Sequence, residues 1–185
     1  QTQSNIEQIK LSKMNNGKSV DENLITLISK IGEKITIRRT KYFDNDGLNY
    51  TYVHNSLEKN VGKVVAVVKL DKNDKIEMKD IGVKLAMQVA ASAPLAIDES
   101  GIKKETIVKE LEIIKEELKN TGKKEDMIEK IAKGKLKKFI SDNTLLNQVW
   151  IMDPKKKVSD FLKSSSDQKE IKIKDFIRFK VGEGV

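Results

Sequence analysis

Helical and two-residue periodicities alternate along these 185 residues in an order that describes an α+β fold. The expected body is a small antiparallel sheet core packed with helices, and an antiparallel coiled-coil helical hairpin is inserted into it. Three patterns lead there. Runs rich in β-branched and aromatic residues occupy positions 35–43, 48–55 and 62–70. Two apolar stripes at helical spacing fill residues 102–140 and meet at a short Gly-containing turn. A last strand-like run, residues 171–181, returns to the sheet after that excursion.

Residues 1–18 are polar and Asn-rich, with weak helical periodicity at Ile6, Ile9 and Leu11, and they end in the turn Asn15-Asn16-Gly17-Lys18. Gly17-Lys18-Ser19 resembles the end of a phosphate-binding loop. Ser12 stands where that motif needs Gly, however, and no strand precedes it, so turn and cap is the better description. Ser19, with Glu22 three residues on, makes a capping box for a helix over residues 20–30. Leu24, Leu27, Ile28 and Ile31 share one face of that helix and Gly32 ends it.

From Ile35 the period becomes two. Residues 35–43, a turn at Asp44-Asn45-Asp46-Gly47 and a second strand at 48–55, with Tyr50, Tyr52 and His54 on one face, are expected to pair as a hairpin. After a loop at 55–60, residues 62–70 are apolar enough for a central strand. Residues 71–74 turn the chain into a helix over 75–92 whose Ile81, Leu85 and Val89 face the sheet, and Pro94 stops it.

The arm follows. Ile107, Leu111, Ile114 and Leu118 form one stripe, and Ile128, Ile131, Ala132, Leu136 and Phe139 form a second. Joined at Asn120-Thr121-Gly122-Lys123, they hide their apolar residues most simply by zipping together antiparallel. Arms of about 16 to 18 residues would reach roughly 25 Å. Gly134 within the second arm is expected to mark a close helix approach, tolerated at a cost of about 1 kcal/mol against alanine. Beyond the arm lie an apolar segment at 145–152 holding the sole tryptophan, a short helix at 158–163, a Ser-rich turn at 164–166 and the returning strand.

Composition narrows the function. Without cysteine there is no disulfide, thiolate chemistry or cysteine-ligated metal, and a reducing, cytoplasmic setting is expected. No run approaches the ~20 apolar residues of a membrane span, and no signal-peptide pattern opens the chain. The chain begins at Gln, as a fragment or processed form would. The net charge of +8 arises from 36 basic residues interleaved with 28 acidic ones, the pattern of solvated helix faces. With 5% aromatic residues there are few platforms for stacking bases, so direct nucleic-acid binding is not expected. A single histidine and no clustered carboxylates leave neither a metal site nor a nucleophile–base pair, so no cofactor and no covalent catalysis are expected. His54 alone could do acid–base work, and a lone strand histidine more often serves structure or contact. Ile151 and Met152, beside Trp150, read as core or, alternatively, as an exposed apolar patch suited to a partner. From residues alone, this is a binding protein with an arm.

Four blocks resemble the elongation factor Ts family, in the family's order: Lys30-Ile-Gly-Glu-Lys-Ile-Thr-Ile-Arg-Arg39; Leu85-Ala-Met-Gln-Val-Ala-Ala-Ser92 followed by Pro94; Lys130-Ile-Ala-Lys-Gly-Lys-Leu-Lys-Lys-Phe139; and Phe176-Ile-Arg-Phe-Lys-Val-Gly-Glu-Gly184. The resemblance implies a bacterial, cytoplasmic, non-enzymatic guanine-nucleotide exchange factor that grips the translational GTPase elongation factor Tu through two similar subdomains. It also implies that the core can form a homodimer. Carried over position by position, the contact residues are Ile31 and Gly32, His54 in the family's Tyr-x-His, and Ile151 with Met152 before Asp-Pro. The implied division is a remnant of the N-terminal core subdomain at 1–47, a C-terminal core subdomain at 48–98 and 145–185, and the coiled-coil insertion at 99–144.

Several departures accompany the likeness. The family's Thr-Asp-Phe-Val loop and N-terminal helical module have no counterpart in these residues, Gln88 stands where many members have His, and the final helix after Gly-Glu-Gly is missing. The expectation is a chain that keeps much of the grip but lacks the loop that displaces nucleotide. The alternative from another class is an RNA- or ribosome-binding module using Lys133, Lys135, Lys137 and Lys138 on the second arm.

Overall fold

The computed structural model describes residues 5–72, 77–120, 124–165 and 171–184. The chain divides between Asp44 and Asn45 into two compact units.

In the first unit, α1 (Ile6–Leu11) is capped by the Asn5 side chain, which accepts from the Glu7 N–H. Met14 N–H donates to Lys18 O at 2.8 Å and Val20 N–H to Ser12 O at 3.0 Å, closing the turn that the Asn-Gly sequence announces. α2 (Val20–Ile31) opens with the expected capping box: Ser19 N–H donates to Glu22 Oε2 at 2.5 Å while Glu22 N–H donates to Ser19 Oγ at 3.1 Å. Gly32 ends it in the left-handed region at φ 75°, where a side chain would be strained. Residues 33–44 carry no regular secondary structure.

That last point corrects the sequence-based hairpin. β1 (Leu48–Glu58) pairs not with 35–43 but with β2 (Val61–Leu70), from Leu48 opposite Leu70 to Glu58 opposite Val61. Residues 55–60, expected as a loop, are mostly strand, and the connection is Lys59-Asn60 alone, with Asn60 at φ 65°. Two physical facts explain the difference. Asn tolerates the left-handed backbone that a two-residue connection demands. The 35–43 run has strand composition, but composition measures fitness for a half-buried pleat, and its Arg38, Arg39 and Lys41 offer no continuous apolar face to bury.

β2 is central, as expected, and β5 (Ile173–Lys180) completes an antiparallel sheet of order β1-β2-β5. One face points its alternate residues Val64, Ala66, Val68 and Leu70 at α3 (Met78–Ser92), whose Ile81, Leu85 and Val89 are buried against them. Gly82 lets the helix lie on the sheet, because a Cβ there would fall inside the ring of Tyr50. Across the core, Trp150 stacks on Phe161 at 4.1 Å between ring centroids and 10° between planes. The opposite sheet face carries Val53, Val65, Val67, Ile177 and Phe179, all half-buried.

The arm is built from α4 (Lys104–Lys119) and α5 (Glu125–Asn143). Ile114, Leu118, Ile128 and Ala132 form an apolar cluster separate from the one under the sheet. The turn at residues 121–123 lies outside the described residues. Gly134 is not the point of close approach: a Cβ there would meet nothing within 4 Å, whereas Ala132 is fully buried. Its position follows from the stripe itself, since Gly134 is two residues from Ala132 and so turned away from it. At the arm's base Leu95 N–H donates to Asn143 O at 2.8 Å, Leu145 N–H to Ala96 O at 2.9 Å and Leu146 N–H to Ile97 O at 3.0 Å. Among the described residues, no helix is long and apolar enough to cross a membrane.

Candidate functional site

The C-terminal half of α3, the sheet and one tight turn surround a cleft of ≈ 520 Å³. β1 contributes Tyr52 and His54, β5 contributes Arg178, α3 contributes Met87 and Ala91, and the turn contributes Ile151.

His54 reaches the cleft through the period of β1, which sets it on the same face as Tyr50 and Tyr52. Tyr52 Oη and His54 Nδ1 share a hydrogen bond of 3.0 Å, their rings tilted at 40°, so the imidazole is oriented although exposed. Arg178 lies opposite Ala66 on the strand ladder, and the small alanine leaves room for the guanidinium to reach across. Its Nε donates to Ala90 O at 3.0 Å, satisfying a carbonyl in the last turn of α3, where positive charge is favoured. Its Nη1 pairs with Glu183 at 2.6 Å.

The turn is a hairpin of unusual composition. β3 (Val149–Trp150) pairs with β4 (Asp153–Lys157), Trp150 opposite Asp153, so Ile151 and Met152 are its two connecting residues. Two-residue connections favour Asn, Asp and Gly. Here two apolar side chains stand 40% and 46% exposed while Trp150 next to them is buried. The core alternative for Ile151 and Met152 is thereby set aside: the tip of a tight hairpin projects, and Trp150, on the strand, takes the inward place.

Gln88 ties this turn to α3. It is fully buried, and its Oε1 accepts from Ile151 N–H at 2.9 Å. Its Nε2 faces Ser92 Oγ at 2.9 Å, Val149 O at 3.2 Å and Gln148 Oε1 at 3.3 Å. Gln148 in turn donates to Asp142 O at 2.9 Å and Ser92 O at 3.2 Å.

The structure therefore brings His54 and Ile151 to one cleft and sets Met152 beside Ile151 at the hairpin tip. Ile31, 48% exposed at the end of α2, and Gly32 belong to the first unit. Met87, Ala91 and Arg178 were missed as lining residues. Met87 and Arg178 each sit inside a block quoted above, but only the strand register and the helix phase reveal that they converge. No group of three or more potential metal ligands occurs among the described residues. What the cleft offers is apolar contact from Met87 and Ile151 framed by His54 and cationic side chains.

A family model described as "Elongation factor TS" matches residues 1–183. Among curated proteins, the chain is 37% identical over 186 residues to "Elongation factor Ts" of Rickettsia akari (strain Hartford), covering 98% of this chain and 60% of that protein. It is 36% identical over 185 residues to "Elongation factor Ts" of Rickettsia felis (strain ATCC VR-1525 / URRWXCal2), covering 97% and 60%. With "Elongation factor Ts" of Rickettsia prowazekii (strain Madrid E) the identity is 37% over 186 residues, covering 98% and 60%. The chain thus spans 60% of the length of the curated relatives it matches.

Proposed function

The chain belongs to the elongation factor Ts family, and from that premise we propose that it binds elongation factor Tu and favours its nucleotide-free state. The observation that carries the proposal is the exposed Ile151-Met152 hairpin tip beside His54. Apolar residues at a position that turn chemistry reserves for polar ones mark a place where local preference yields to contact. Ile31 and Gly32 are proposed as further contacts, from the first unit.

An exchange factor of this kind makes and breaks no covalent bond. It lowers GDP affinity by binding the nucleotide-free shape better, and by linkage GDP weakens the factor's binding equally. These 185 residues contain no Thr-Asp-Phe-Val sequence, so on their own they are proposed to bind more effectively than they displace. Self-association through the sheet face bearing Val65, Val67 and Phe179 is a further part of the proposal.

The test is a pull-down on immobilised elongation factor Tu with and without excess GDP, paired with release of labelled GDP. Binding that GDP antagonises, with release slower than a full-length relative supports, is expected. Binding indifferent to GDP sinks the exchange mechanism, and release at the full-length rate sinks the division of labour. The RNA-binding alternative draws less support, because Lys135 is engaged by Glu117 at 3.1 Å and acidic residues line both arms. It predicts binding that weakens steeply with salt.

A further inference from the structure

Gln88 is a large polar side chain placed where the core would accept leucine, at zero exposure among Leu85, Val89 and Trp150. Burying an amide is unfavourable unless every polar atom is partnered. Here each is, and the partners are specific: the acceptor oxygen meets Ile151 N–H and the donor nitrogen faces Val149 O. Those two backbone groups flank Trp150, one on each side. The side-chain amide therefore addresses the hairpin as a neighbouring strand would, with one acceptor and one donor spaced across a single residue. The assignment of oxygen and nitrogen follows from the partners themselves, since a backbone N–H requires an acceptor and a backbone carbonyl a donor.

The stack on Phe161 holds the Trp150 ring and Asp153 Oδ1 accepts from Lys155 N–H at 3.1 Å, but the connection between the two strands has little of its own to fix it. β3 has two residues, its register with β4 shifts between Val149 and Trp150, and its connecting residues lack the Asn or Gly that would set the turn. Neither Ile151 nor Met152 takes a positive φ. The Gln88 bond to Ile151 N–H therefore supplies, from outside the hairpin, the restraint that turn chemistry does not supply from within.

We propose that Gln88 is a positioning residue: it clamps the backbone on both sides of Trp150, so that Trp150 points inward and Ile151 and Met152 are presented outward in one conformation. The role deepens the proposed contact with elongation factor Tu and rests on it for its purpose, but the clamp itself is a property of the free chain. Preorganising the backbone of the tip spares the ordering of a turn at the moment of association.

The experiment compares the protein with its Gln88→Met and Gln88→His variants. Methionine keeps the volume and removes every hydrogen bond, whereas histidine keeps one ring donor and one ring acceptor. In Gln88→Met, hydrogen exchange at the Ile151 amide is expected to rise by roughly tenfold, the size of one lost hydrogen bond, while β2 amides keep their protection. Emission from Trp150, the sole tryptophan, shifts to the red. Affinity for nucleotide-free elongation factor Tu falls by about the same factor, and Gln88→His recovers part of both losses. Unchanged exchange at Ile151 in Gln88→Met would overturn the clamp. So would loss of β2 protection in both variants alike, which would make Gln88 a structural residue only. Failure of the unmodified chain to bind elongation factor Tu would remove the proposed function yet leave the clamp to be judged by exchange and emission.

Discussion

Replacing Gly82 with alanine adds one methyl group where α3 lies close against the sheet. The Cβ would overlap the ring of Tyr50, which is packed on the core from the edge strand β1. Relief requires either that the ring leave its rotamer or that the helix move off the sheet. Overpacking of this kind costs about 1–3 kcal/mol, and overlap with ring atoms rather than a flexible chain end places this case in the upper part of that range. Against it stands the better helix propensity of alanine, about 1 kcal/mol. The net expectation is a loss of about 1–2 kcal/mol, or a Tm lower by roughly 2–8 °C for a chain of this size. The decisive form is a cycle with Tyr50→Ala. Where the ring is absent, Gly82→Ala should stabilise by about 1 kcal/mol, so the sign of the effect reverses between backgrounds. Urea unfolding followed by Trp150 fluorescence measures all four proteins. The same ΔΔG in both backgrounds would refute the contact, and a stabilising Gly82→Ala in the unmodified chain would refute the crowding.

Other outcomes follow from the same structure. Leu118→Ala removes a buried side chain of the arm's own cluster, a change worth about 2–5 kcal/mol in a packed core; because that cluster is separate from the one under the sheet, hydrogen exchange should speed up in α4 and α5 and not in β2. The Ser19 backbone N–H, then the Ser19 hydroxyl and Lys13, hold the Glu22 carboxyl below the usual carboxylate range. A lowered folded pKa means stability present above the ordinary value and lost as pH falls through the lower one. The first turn of α2 should thus loosen only on strong acidification, followed by the Ser19 amide shift, and transition in the ordinary glutamate range would contradict the cap. Burial, with Glu77 adding to it, raises the Tyr50 phenol above its ordinary range. The stability it contributes is complete below pH 10.0 and declines as pH rises through the folded value; ultraviolet titration should show a late transition that Tyr50→Phe removes.

The helices were legible because each signal was local: Ser19 and Glu22 form their box, Gly32 takes its left-handed cap, and the stripes of the arm meet from Leu111 to Leu118 and from Ile128 to Leu136, although Ile107 and Phe139 stand outside that cluster. The central strand was legible from its unbroken apolar run. Pairing was harder, because two runs of strand composition competed for β1 and the winner was decided by a two-residue connection at Lys59-Asn60. Family likeness named His54, Ile151 and Met152 one by one. Their convergence was not legible. It depends on the phase of α3 against the sheet, which brings Met87 to the cleft, sends Gln88 inward and lets Arg178 reach Ala90. Gly134 shows the opposite failure, where a residue type suggested intimacy and the helix phase denied it.

The three backbone hydrogen bonds joining residues 95–97 to residues 143–146 make the arm a closed side branch of the chain. Once its feet are fixed beside each other, lengthening such a branch changes the closure entropy only logarithmically, about 0.6 kcal/mol for each doubling. Added helical turns would bring their own buried pairs with them. The arm's length is therefore nearly free of the body's thermodynamics, and whole turns could be inserted or removed in matched pairs while the sheet folds unchanged.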